Sequence, residues 1–174
     1  MRNRFYSSIL VFLVCLLFSQ AAQAKGLTIK DMNNVTAKAP DMTGGGFHKL
    51  KFKGGKHNNG EGTDSIITAT VGDLDGDGFN DGAIIFYENW GGSGCFTQLS
   101  VFLYKNGKPV QVGLRAMGDR SVINKLYIKN KVLTLDVVLH RANDPAISPT
   151  LKKVLEFRIK EGKLVGPDIQ DIES

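Results

Sequence analysis

The chain has 174 residues, 42% of them hydrophobic and 22% charged, with a formal net charge of +5. That is the length and apolar content of one domain with one substantial core, with no internal repeat, low-complexity segment or linker to divide it. Its positive charges are scattered rather than gathered into a long basic run, so they read as a solvated face and not as a nucleic-acid footprint.

The first 24 residues read as a secretory leader: Arg2 and Arg4 form a positive start, Ile9 to Phe18 an apolar run, and Ala22-Gln23-Ala24 a small-x-small cleavage site. The rival reading, an uncleaved anchor, needs about 20 apolar residues to span a bilayer, more than this run supplies. Cys15 lacks the small residues of a lipidation site before it. The mature chain is therefore expected to begin at Lys25, to lie in the periplasm or outside the cell, and to have no membrane span after cleavage. Losing Arg2 and Arg4 leaves it a net charge of +3, and Cys95 as its lone cysteine. An intramolecular disulfide is then excluded, leaving a thiol buried as a small apolar group or paired with another chain.

Beyond the leader, strand signals dominate. Residues 25–46 show no clear period and read as an N-terminal arm. Phe47 to Lys53 alternates imperfectly and runs to a turn at Gly54-Gly55, and His57 to Gly62 reads as a loop. Ile66 to Val71 alternates, with Ile67, Ala69 and Val71 on one face and Thr68 and Thr70 on the other. Ala83 to Tyr87 is apolar on both faces, the mark of a central strand. After Gly91-Gly92-Ser93-Gly94, Phe96 to Tyr104 places Leu99, Val101 and Leu103 on one side. Asn106-Gly107 is the strongest short hairpin signal, with Val110, Val112 and Leu114 on the return. Gly118-Asp119-Arg120 marks a turn held by a local ion pair. Val122 to Lys129 and Val132 to His140 form a second hairpin across Asn130-Lys131, with Leu133, Leu135, Val137 and Leu139 inward. A loop with Pro145 and Pro149 leads to a last strand through Leu155, Phe157 and Ile159, which turns at Glu161-Gly162 before a loose tail over 167–174. The expected fold is mainly β: one β domain over residues 47–166, about eight antiparallel strands curling into a sandwich or partial barrel, with little helix.

The chemistry is concentrated between Gly72 and Gly82, Gly-Asp-Leu-Asp-Gly-Asp-Gly-Phe-Asn-Asp-Gly. Asp73, Asp75, Asp77 and Asp81 crowd their charges into nine residues, and such a group needs a counterion to stay ionised. A hard dication with six to eight oxygen ligands at roughly 2.3–2.6 Å is the natural one, and Gly78 permits the sharp turn around it. The bland alternative is an Asp/Gly-rich surface turn without metal. The pattern matches the first nine places of an EF-hand-type loop: Asp73, Asp75, Asp77, the backbone carbonyl of Phe79, and Asp81 directly or through water. At the twelfth place stands Ile84, where that loop has its bidentate Glu, and strands flank it where helices should be. A helix-opening calcium sensor is thereby excluded. Calcium (Ca2+) is the expected ion, and Asp64 and Glu61 are further candidate ligands.

The same string resembles the strand–loop–strand calcium motif of FG-GAP and VCBS-type propeller blades, which repeat it once per blade. Here it occurs once, so no propeller is implied. From about Leu27 to Val165 the chain also resembles a family of small exported bacterial proteins and lipoproteins of unknown function. The shared pattern is the acidic loop, Gly91 to Gly94, Gly107-Lys108-Pro109, Gly118-Asp119-Arg120 and Asp144-Pro145. Some relatives carry paired cysteines where this chain has Ala146-Ile147-Ser148, and lipoprotein relatives have a lipobox that this chain lacks. The resemblance implies a fold and a metal but no activity.

The functional expectation is an exported, non-enzymatic calcium-binding β-domain with a structural or binding role in the cell envelope or outside the cell. Its partner would be an unidentified protein or glycan. One alternative is a hydrolase built on Cys95 and His140, with Asp136 on the face of His140, although neither stands in a catalytic signature. Another is a glycan- or peptide-binding module using Tyr87 and Trp90. A zinc site from His48, His57 and His140 lacks ligand spacing.

Overall fold

The computed structural model describes residues 25–41, 45–60, 62–89, 94–145 and 147–167. Residues 1–24, 42–44, Glu61, Trp90, Gly91 to Ser93, Ala146 and the residues from 168 lie outside the described residues. A short helix α1 (Ile29–Met32) precedes β1 (Thr36–Pro40), β2 (Phe47–Lys51), β3 (Lys56–Asn58), β4 (Thr63–Gly72), β5 (Asp81–Glu88) and β6 (Phe96–Lys105). They are followed by β7 (Lys108–Asp119), β8 (Val122–Lys129), β9 (Val132–Leu139), β10 (Leu151–Lys160) and β11 (Lys163–Val165). The fold is mainly β, in three antiparallel sheets that do not close into a barrel.

A five-stranded sheet, ordered β3-β4-β5-β6-β7, is the middle layer. One face packs on the four-stranded sheet β11-β10-β9-β8, and Ile85, Leu99, Val101 and Leu103 share that core with Leu133, Leu135, Val137, Leu139 and Phe157. On the other face, Ile84, Phe86 and Phe102 pack under the β1–β2 hairpin and α1 against Leu27, Met32, Val35, Ala37, Ala39, Leu50 and Phe52. This double covering is why β5 is apolar on both faces, and it is the central strand that the sequence predicts.

Four two-residue hairpin turns among the described residues have both turn residues at positive φ, as the right-handed strand twist favours: Gly54-Gly55 (57°, 79°), closed by the Lys53–Lys56 bridge, Asn106-Gly107 (53°, 82°), Asn130-Lys131 (51°, 62°) and Glu161-Gly162 (50°, 72°). The two hairpins expected between β6 and β7 and between β8 and β9 are formed. An Arg120–Asp119 ion pair sits at the following turn, and Asp144 staples the Asp-Pro loop by accepting from Arg141 N and Thr150 N.

The fold departs from expectation in three places. Residues 25–40 are not an arm: Thr28 and Asp31 form a capping box that starts α1, and β1 pairs with β2 from Thr36↔Lys51 to Pro40↔Phe47. Their apolar residues are too few for a visible period, yet they close the second core. In β4 the register shifts between Ile66 and Thr68, so Ile66 joins Ala69 and Val71 on the covered face and Ile67 is left exposed. A bulge adds one residue and flips the alternation. The short strands β3 and β11 also raise the number of strands above the eight expected.

The hairpin is set against the sheet end farthest from the acidic loop by a buried polar cluster. His48 Nε2 lies 3.1 Å from Glu88 Oε2, an ion-pair distance, and the Glu88 carboxyl is almost wholly buried beside the Gln98 side chain. Burial first, then repulsion from Asp64, push Glu88 up from 4.5 to about 7, against a smaller lowering by Gln98. Folded Glu88 thus keeps its proton up to about pH 7 while the unfolded side chain loses it near 4.5. Stability therefore falls as pH rises through that window and levels off above it. Glu88→Gln is expected to flatten the fall and to be more stable than the parent at pH 8 by about 1–2 kcal/mol. Urea unfolding of both proteins at pH 5 and pH 8 checks it, and an unchanged slope would assign the pH dependence to other groups.

Candidate metal centre

The acidic loop connects β4 to β5, two neighbouring strands paired down to Gly72↔Asp81. Between them the chain turns on its own side chains. Asp73 accepts from Gly76 N (Oδ1, 2.6 Å) and Gly78 N (Oδ2, 3.2 Å), Asp75 Oδ1 from Asp77 N (3.1 Å), and Asp77 Oδ1 from Phe79 N (2.9 Å). Short carboxylates capping nearby backbone N–H groups are why Asp makes such a turn. Gly76 and Gly78 both have positive φ, at 87° and 82°. A side chain at Gly76 would also meet the Lys131 ammonium. Leu74 points the other way, into the inter-sheet core, and pins the loop between its acids.

Asp81, fully buried, closes the loop. Its Oδ2 accepts from Leu74 N (2.8 Å) and Asp75 N (3.3 Å), and its Oδ1 from Tyr104 N (2.9 Å) on β6. Burial pushes its carboxyl above the usual range, opposed by the Tyr104 and Leu74 N–H groups and reinforced by the charge of Asp75. At the other edge Lys105 Nζ lies 2.6 Å from Asp75 Oδ2 and 3.4 Å from Asp77 Oδ2. Burial disfavours the charge on Asp75, but Lys105 and the Asp77 N–H outweigh it and hold its carboxyl below the usual range. The Phe79 ring stacks on Tyr104 with centroids 5.4 Å apart. Backbone bonds between Asn80 and the start of the described chain, Leu27 N to Asn80 O (2.8 Å) and Asn80 N to Lys25 O (2.7 Å), complete the surround.

Asp73, Asp75 and Asp81 each offer an oxygen within 4.8 Å of the others, and this group could hold a metal ion. The donor set fits a hard cation: it is all carboxylate oxygen, without thiolate or imidazole, and an oxygen that accepts a single hydrogen bond, such as Asp73 Oδ1 or Asp81 Oδ1, retains a second lone pair. A dication would also relieve the like-charge repulsion that the buried Asp81 feels from Asp75.

Of the four acids that the sequence singles out, three converge. Asp77 stands outside the group, exposed and turned to Lys105; the Phe79 ring stacks on Tyr104, and the ligand expected of that residue is its backbone carbonyl, not its side chain. Asp64 lies at the far end of β4, where it accepts from Asn89 N, and so is remote from the loop; Glu61 and Trp90 lie outside the described residues. The three histidines do not gather: His48 meets Glu88, the His57 ring lies edge-on to Phe52, and His140 faces Asp144. Cys95 is tied to Asp119 through its backbone N–H. Burial and the Asp119 charge push its thiol up, away from the thiolate that a nucleophile needs, and no hydrogen bond joins it to His140 among the described residues. Nothing in the sequence points to Lys105 or the Tyr104 N–H, because only the β5–β6 register brings them to the loop.

The chain matches no family model, no curated protein and no solved structure.

Asp81→Ala is expected to leave the Leu74, Asp75 and Tyr104 N–H groups without their acceptor. The cost should be about 2–4 kcal/mol of unfolding free energy in urea, persisting in chelator because the bonds are internal to the protein. A loss confined to calcium-containing buffer would show that Asp81 acts only through the ion.

Proposed function

We propose that the protein is an exported, non-enzymatic β-domain stabilised by one calcium ion in the 73–81 loop, acting in the cell envelope or outside the cell. One observation carries the reading: three carboxylates from a strand–loop–strand turn converge within 4.8 Å, with an oxygen-only donor set suited to that ion. Asp73, Asp75 and Asp81 would supply protein ligands, and backbone carbonyls and water the remainder. The ion would neutralise the turn where β4 passes into β5, a structural role. Export is supported by the pattern of the first 24 residues. A binding role would be supported by the open groove of about 490 Å³ between the β1–β2 hairpin and β7, lined by Lys38, Lys49, Phe47 and Val110.

The melting temperature is expected to rise on adding calcium to chelator-treated protein. At a free concentration 100 times the dissociation constant the stabilisation is about 2.7 kcal/mol. Asp73→Asn keeps an acceptor for only one of the Gly76 and Gly78 N–H groups, which Asp73 accepts on separate oxygens, but it deletes a charge and should abolish most of the difference. Calorimetry and elemental analysis showing that the purified protein neither holds nor takes up calcium would overturn the reading.

A further inference from the structure

We infer that Lys105 is a built-in competitor for the cation of the acidic loop: its ammonium neutralises the carboxylates when no dication is bound, and calcium must displace it to bind. The inference rests on the calcium reading above and adds a means by which the chain itself sets the affinity. Lys105 ends β6, immediately before the Asn106-Gly107 turn, and the preceding residue donates its backbone N–H to Asp81. The last two residues of one strand thus touch three of the four loop acids, Tyr104 at Asp81 and Lys105 at Asp75 and Asp77.

Asp75 is the shared point. It belongs to the converging carboxylates, and its Oδ2 is 2.6 Å from the ammonium. A dication drawing on the same carboxylate would face a positive charge at close range, and the repulsion favours departure of the lysine. Departure is easy, since the Lys105 side chain is 44% exposed and its four-carbon stem can swing the charge into water. Asp77, outside the converging group, then has a clear part: it is the second arm of the lysine's seat. Lys131 supplies an internal comparison. Its ammonium also lies against the loop, at Gly76, but it makes no ion pair with a carboxylate among the described residues.

The test compares the full-length mature protein with Lys105→Met and Lys131→Met, measuring calcium binding by calorimetry and melting temperature in chelator and in saturating calcium. Lys105→Met should bind calcium about 3–5-fold more tightly, the upper end of the worth of one exposed ion pair removed from the competing state, whereas Lys131→Met should change affinity by less than about 2-fold. Lys105→Met should also melt about 1–3 °C lower than the parent in chelator but no lower in saturating calcium. Equal tightening in the two variants would reduce the effect to general charge and overturn the inference, as would an unchanged affinity in Lys105→Met, while calcium binding itself stood. Failure of the parent and of Lys105→Met alike to bind calcium would overturn the calcium reading and the inference together.

Discussion

A single buried carboxylate holds the two halves of the acidic turn and the neighbouring strand to one another. Asp81 collects N–H groups from Leu74 and Asp75 at the start of the turn and from Tyr104 on β6. Three backbone donors make a buried anion tolerable where an unsatisfied one would be costly. They also fix where the other acids can stand, because Leu74 and Asp75 are held by the same group. The cluster is thus not a loose collection of surface acids. Its buried member is placed by the sheet, its exposed members are folded onto their own backbone, and one positive side chain faces them from the adjacent strand.

The middle sheet explains why this arrangement can persist. With apolar layers on both sides, β5 and β6 have no freedom to slide, and the register Gly82↔Phe102 brings the end of β6 alongside the turn. The Asn106-Gly107 hairpin then returns the chain along β7, leaving Lys105 at the rim.

Much of this was legible in the residues and some was not, for identifiable reasons. Strands with a long period-two signal, such as Leu133 to Leu139, and turns marked by Asn-Gly can be read because one local rule decides each. The doubly apolar run 83–87 could be read as central without knowing what covered it. The covering layer was hidden, because Leu27, Met32, Val35, Ala37 and Ala39 are spread over helix, turn and strand and so obey no single period. Ile67 misled because a bulge is decided by pairing with β5 and not by its own neighbours. The acids of the site were plain from spacing alone. Their division into three that converge and one that turns outward depends on the β5–β6 pairing, which lies outside the motif, and so does the lysine beside them.

The bonds from Lys25 and Leu27 to Asn80 give the turn a further character. Gly26 lies so close that a side chain there would strike the Asn80 backbone. Segments far apart along the polymer are thereby stitched edge to edge, and the cradle's outline becomes a property of the assembled three-layer body. A synthetic peptide spanning only Gly72 to Gly82 would keep every acid and yet have nothing to hold them in shape.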